Sequence, residues 1–249
     1  MDSQRFIAGG LSGIIEVLAT HPIDYIKIKK QEYKQLGKEF NLPKIKLNKL
    51  YTGLMPRLIG VAPMRVVFWG SQDYYRNALL KMDNKYLNKY NFLIIGWNSA
   101  FLQTIIDTPI EIYKIGKMTN MTNENLKQSL INMQGFNANL IRNFGFTSVI
   151  AYLCFNNHNH NGFIDKFKYA AFGGLIGSVL TQPIDYVKTQ QQRCQDNRSI
   201  YKIIQETIKD DYRKLYIGGF YRSVLSISTM GIGFVAFDFF NNLLKTDIN

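Results

Sequence analysis

The sequence predicts an all-α membrane protein: six transmembrane helices built as three pseudo-symmetric two-helix repeats around a central cavity. Three observations carry this prediction. A Pro-x-acid-x-x-base signature occurs three times, at Pro22-Asp24-Lys27, Pro109-Glu111-Lys114 and Pro183-Asp185-Lys188. Two small residues precede each proline at constant distances: Gly9 and Gly13, Gly96 and Ala100, Ala170 and Gly174. A polar, basic stretch and then a glycine-opened apolar segment follow each signature, anchored at Gly53, Gly135 and Gly219. One small-xxx-small match means little, but three in register with a second motif mark an internal repeat whose helices approach closely.

The repeats span approximately residues 1–85, 86–162 and 163–249. The first repeat predicts helices over roughly 6–32 and 56–80, the second over 91–118 and 137–158, the third over 167–193 and 220–244. A hydrophilic loop joins the two helices of each repeat. Pro22, Pro109 and Pro183 each remove a backbone donor near the end of an odd helix and are expected to kink it inward.

Hydropathy alone argues for a soluble protein. The chain is 46% hydrophobic, its mean hydropathy is −0.13, and no window of 18 residues is uninterruptedly apolar. A water-filled centre resolves the conflict, because inward positions can then be polar while lipid-facing ones stay apolar. The net charge of +12 suits nucleic acid, an anionic membrane surface or an anionic ligand without choosing among them. Two cysteines make no disulfide framework. The N-terminal MDSQRFIAGG has no basic region ahead of an apolar core and is not expected to be a leader.

Charges at membrane depth pair or face water. In each signature the acid and base lie three residues apart and share a helix face. Three acids and three bases can therefore close into a ring. Gln31 and Gln192 lie four residues beyond Lys27 and Lys188, on the same face, whereas Met118 holds that place in the second repeat.

With Pro-x-[Asp/Glu]-x-x-[Lys/Arg] ending every odd helix, the whole chain resembles a mitochondrial carrier. The resemblance implies a matrix gate of pairs Asp24–Lys114, Lys27–Asp185 and Glu111–Lys188, braced by Gln31 and Gln192. It also implies a cytoplasmic gate on the even helices. There this sequence departs: Asp73 and Arg76 keep the charges of the first repeat, Asp238 keeps only the acid of the third, and the second has Phe155 and His158. A weak cytoplasmic gate follows, and with it an outward-open resting state. Transport by alternating access across the mitochondrial inner membrane is implied, in a host cell if the gene is viral or parasitic. The implied partners are a small anionic substrate, a counter-substrate and membrane lipid, with the protein a monomer. No cofactor or metal is implied, and cardiolipin is the one structural lipid considered.

In this family the central site is read seven residues past each anchoring glycine, here Gly60, Arg142 and Ser226. Arg142-Asn143 resembles the Arg-[Gln/His/Asn/Thr] pair of keto- and carboxylic acid carriers. Helical geometry of about 100° per residue adds Arg57 and Arg222 to the same inner stripe and turns Arg65 away toward a neighbour. Three arginines suit a ligand with several negative oxygens. The alternative is that Arg57 and Arg222 sit at the rim and pair with the gate. The arginine count, with Phe68 and Phe146 as base-stacking platforms, leans toward a nucleotide, ADP/ATP or a deoxynucleotide. The Arg142-Asn143 pair argues for a di-, tri- or oxocarboxylate instead. Glu16 either joins the site or partners a cavity arginine. His158 and His160 lie in an Asn-rich turn without metal-site spacing and read as solvated loop.

Two rival classes remain. A basic nucleic-acid-binding protein should cluster its cations on one face, but many here fall in the loops between helices, as at Lys29, Lys30, Lys34, Lys38, Lys44, Lys46 and Lys49. A transport-inactive membrane relative is compatible with the incomplete cytoplasmic gate. No catalytic motif appears in a suitable context, so an enzyme is not expected.

Overall fold

Every regular element among the described residues is helical. The computed structural model describes residues 3–39, 46–81, 85–155, 163–194 and 198–246. In chain order the helices are α1 (Ser3–Gln35), α2 (Leu54–Leu80), α3 (Lys85–Met118), α4 (Asn123–Ile131), α5 (Phe136–Phe155), α6 (Phe163–Leu180), α7 (Gln182–Cys194), α8 (Ile200–Asp211) and α9 (Gly219–Thr246). Short 3-10 turns at Leu47–Tyr51 and Tyr212–Tyr216 precede α2 and α9.

The long helices follow one another around a closed circuit. α1 packs on α2, α2 on α3, α3 on α5, α5 on α6 and α7, and α6 on α9, which returns to α1. This is the neighbour order that three successive helix pairs around one axis require.

Pro22 and Pro109 lie inside unbroken α1 and α3, whereas at Pro183 the chain divides into α6 and α7 at Thr181. The single predicted helix 167–193 is therefore two segments. The Asp185 amide still donates to the Thr181 carbonyl at 3.1 Å across the junction. Near each proline a threonine hydroxyl bonds one turn back: Thr20 to the Glu16 carbonyl at 2.7 Å, Thr108 to Thr104 at 2.8 Å and Thr181 to Gly177 at 2.7 Å. Such back-bonding favours bending where proline has already removed a backbone donor.

Two loops expected to be merely hydrophilic contain helices. Thr122 accepts the Asn125 amide at the start of α4, and Ser199 accepts the Lys202 amide at the start of α8. Both residue types are preferred N-caps. Ile203 of α8 packs with Tyr186, Val187 and Leu215, while Leu126 of α4 meets Gly116 of α3.

Polar side chains share the interior with apolar ones such as Ile112, Ile115, Met118 and Ile203, and many large apolar side chains face outward. Gln31, Gln182, Gln192, Asn139, Thr104, Thr108 and Asp185 are among the largest fully buried side chains. Ile7, Ile14, Ile15, Leu18, Ile59, Val235 and Phe239 are exposed. Polar residues inside and a large apolar outer surface suit a helical bundle with a polar centre in lipid. By length and hydropathy one described segment, Gly219–Phe237, qualifies to cross a membrane, and most of it lies on the surface rather than in a core.

Of the predicted small residues, Gly13 and Gly96 show close approach and Gly9 does not. Gly13 admits Val61 and Arg65 of α2, and Gly96 admits Thr147 of α5. Gly177 of α6 receives the ring of Phe146 from α5.

Candidate functional site

The three signatures meet at one end of the bundle. Lys114 Nζ lies 2.7 Å from Asp24 Oδ2, and Lys188 Nζ lies 2.5 Å from Glu111 Oε2. Lys27 Nζ lies 2.5 Å from Asp185 Oδ2, as an ion pair rather than a well-directed hydrogen bond. α1 thus pairs with α3, α3 with α7 and α7 with α1, in the three combinations expected. Five of the six side chains are under one tenth exposed, Asp24 being the exception at 15%.

Three left-handed glycines dock the even helices onto this ring. Gly53 has φ 82°, Gly135 φ 74° and Gly218 φ 83°. Gly53 sits against Lys114 and Met118, Gly135 against Lys188 and Gln192, and Gly218 against Lys27 and Gln31. A side chain there would meet both backbone strain and a neighbouring helix. The third anchor is therefore Gly218, one residue before the predicted Gly219. Counting from it, Arg57, Asn139 and Arg222 occupy equivalent places, and the position matching Gly60 and Arg142 is Leu225, with Ser226 beside it.

The predicted braces do not bridge the pairs. Gln31 donates to the Ile217 carbonyl at 3.1 Å, because its amide packs under the Gly218 turn. The Gln192 amide is buried against Gly135 and makes no hydrogen bond among the described residues. Gln182 shares the Ile217 carbonyl at 2.9 Å, and His21 bonds the Thr52 carbonyl at 3.0 Å. These two residues directly precede Pro183 and Pro22, so they tie the odd helices to the glycine turns in the first and third repeats.

Arg57, Arg142 and Arg222 converge next to the ring. Arg142 lies 3.3 Å from Asp185, 3.6 Å from Glu111 and 3.6 Å from Asp107. Asn143 accepts from Arg142 Nε and Nη2 at 3.2 and 2.8 Å and donates to Thr104 at 2.8 Å. This fixes the guanidinium plane. Arg222 donates to Thr181 at 2.6 Å and lies 4.0 Å from Asp185. Arg57 lies 3.1 Å from Asp107. Arg222 thus contacts the ring acid Asp185, as the rim reading has it, whereas Arg57 contacts Asp107 outside the ring; both share a carboxylate with Arg142.

Asp107 was missed. It is buried, stands four residues before Glu111 on the same helix face, and also accepts from Asn139 at 3.3 Å. The first and third repeats carry Thr20 and Thr181 at that place, so no repeat pattern exposed it.

Other expectations are corrected. Gly60 is buried against Ile110 of α3, and an added Cβ would overlap that side chain, so it forms a helix contact rather than a ligand contact. Phe146 packs part of its ring against Gly177 of α6. Glu16 of α1 pairs with Arg65 of α2, so its partner is the arginine turned toward a neighbouring helix rather than one of the three central arginines. A pocket of about 500 Å³ lies at the α4–α5 turn, lined by Ile105, Gln134, Gly135 and Gln191 among others, and includes no predicted substrate residue. The side chains of Asp73, Arg76, Phe155 and Asp238, and residues His158 and His160, lie outside the described residues. Among the described residues no group of His, Cys, Asp and Glu could hold a metal.

A family model described as mitochondrial carrier protein matches residues 3–83 and 159–247, most of the chain. The chain belongs to the mitochondrial carrier family. The model matches this carrier's first and last repeats, and the second repeat carries the same signature at Pro109, Glu111 and Lys114. The carrier is 26% identical to the mitochondrial aspartate-glutamate transporter of Saccharomyces cerevisiae, over 98% of its own length and 32% of that protein. It is 25% identical to the mitochondrial 2-oxodicarboxylate carrier of Bos taurus, over 93% of its own length and 89% of that protein. It is 27% identical to a probable chloroplastic S-adenosylmethionine carrier of Arabidopsis thaliana, over 85% of its own length and 64% of that protein. The chain thus spans about a third of the yeast relative and most of the bovine one.

Proposed function

We propose that this carrier crosses the mitochondrial inner membrane six times and exchanges a small dicarboxylate or 2-oxodicarboxylate by alternating access. The observation that carries the reading is the convergence of Arg57, Arg142 and Arg222 beside the ion-pair ring, with Arg142 oriented by Asn143. Guanidinium groups in fixed planes suit carboxylates approached from more than one side. The layer holds six cations, Lys27, Lys114, Lys188, Arg57, Arg142 and Arg222, against four carboxylates, Asp24, Asp107, Glu111 and Asp185. Two positive charges are left for a ligand to match.

This reading prefers a dicarboxylate over the nucleotide that the sequence leaned toward. Two of the relatives above are named for aspartate-glutamate and 2-oxodicarboxylate transport, which supports the same class.

In this reading the three pairs are the closed matrix gate. A substrate that engages Arg142 and Arg222 competes with Asp185 and Glu111 for them, and so offsets part of the cost of opening the ring. The carbon chain passes unchanged and no bond is made or broken.

Ligand-dependent thermal unfolding of the detergent-purified carrier tests this. A dicarboxylate such as 2-oxoglutarate, at about a hundred times its dissociation constant, should stabilise by about 2.7 kcal/mol. Stabilisation by ADP or ATP and not by any dicarboxylate would reverse the choice.

A further inference from the structure

We infer that Asp107 sets the charge of the preferred substrate, holding the site at a dianion and against trianions. The inference rests on the dicarboxylate reading and names the residue that tunes it. Asp107 stands between two of the three substrate arginines. Its Oδ1 lies 3.1 Å from Arg57 on α2, and its Oδ2 lies 3.6 Å from Arg142 and 3.3 Å from Asn139 on α5. Only about 4% of the residue is exposed.

The other three carboxylates of the layer belong to the ring, and each is matched there by a lysine. Asp107 has no lysine of its own. It is placed against Arg57 and Arg142 outside the ring pairs, where Thr20 and Thr181 stand in the other repeats. Removing its charge would leave three arginines and three lysines facing three carboxylates, which suits a ligand of charge −3. A charge at this range, in a partly buried site, changes relative affinity by at least about tenfold. Neighbouring groups do not compensate. Thr104, Thr108 and Asn139 are neutral, and Glu111 already engages both Lys188 at 2.5 Å and Arg142 at 3.6 Å.

The test is competition against a bound dicarboxylate on the purified full chain, comparing 2-oxoglutarate with a tricarboxylate such as citrate. Asp107→Asn keeps the shape and removes the charge. Asp107→Thr installs the residue of the other repeats and serves if the asparagine variant does not fold. Asp107→Glu keeps the charge. The tricarboxylate-to-dicarboxylate affinity ratio should rise at least about tenfold in the first two and stay within about twofold in the third. An unmoved ratio in Asp107→Asn and Asp107→Thr, or an equal rise in Asp107→Glu, overturns the inference while leaving the dicarboxylate reading intact. A wild-type protein that binds neither class overturns both.

Discussion

Lys188 and Glu111 form an ion pair at 2.5 Å with side chains 3% and 7% exposed, joining α7 to α3 across the second and third repeats. Breaking such a pair from one side strands a buried charge, which commonly costs about 3–5 kcal/mol. Glu111 also receives Arg142, so its loss frees two cations.

Glu111→Gln should therefore lower the unfolding temperature of the detergent-purified carrier and weaken the closed matrix state. The charge-swapped pair, Glu111→Lys with Lys188→Glu, should recover part of the loss. Double-mutant thermal unfolding reads this. No recovery in the swapped pair would show that the surrounding Arg142 and Asp185 dominate the cost.

The two adjacent glycines at the start of α9 should behave differently. Gly218→Ala forces a side chain into φ 83° and against Lys27 and Gln31, which should cost about 1–2 kcal/mol. Gly219→Ala meets its nearest neighbour, Gln182, at an ordinary 3.5 Å and should be nearly neutral. Thermal unfolding of the two single variants decides which residue is the third anchor.

Gly60→Ala should destabilise by about 1–3 kcal/mol through overpacking on Ile110. Ile110→Val in the same chain should relieve part of it. If Gly60→Ala is neutral and instead alters ligand affinity, Gly60 lines the site after all.

The ring was legible in the sequence because its six charged residues recur in a fixed frame with proline. Asp107 was not, because its repeat partners are threonines and a symmetric pattern averages it away. The Gly218–Gly219 doublet shows another limit. Two glycines can each adopt φ > 0, and only the packing of Lys27 and Gln31 on the first selects it. α4 and α8 carried a readable signal in the N-caps Thr122 and Ser199, which the loop reading passed over. The glutamine braces failed for a geometric reason: sharing a helix face with the lysine does not stop a long amide from taking a nearer backbone carbonyl, as Gln31 takes Ile217.

Arg142 touches Asp107, Glu111 and Asp185 at once. Arg142→Ala should abolish uptake, and Arg142→Lys should restore little, since a lysine cannot present two donors in one plane to Asn143. Uptake rates for both variants, normalised to inserted protein, measure this. Full retention in either would remove Arg142 from the site.

The central claim is exchange of a dicarboxylate through this site. Its most direct test is counter-exchange in liposomes holding the purified carrier, preloaded with unlabelled 2-oxoglutarate and offered labelled 2-oxoglutarate or labelled ATP outside. The account predicts uptake of the dicarboxylate that depends on the internal load and is lost in Arg142→Ala. Load-dependent uptake of ATP with none of the dicarboxylate, or no uptake of any anion, would contradict it.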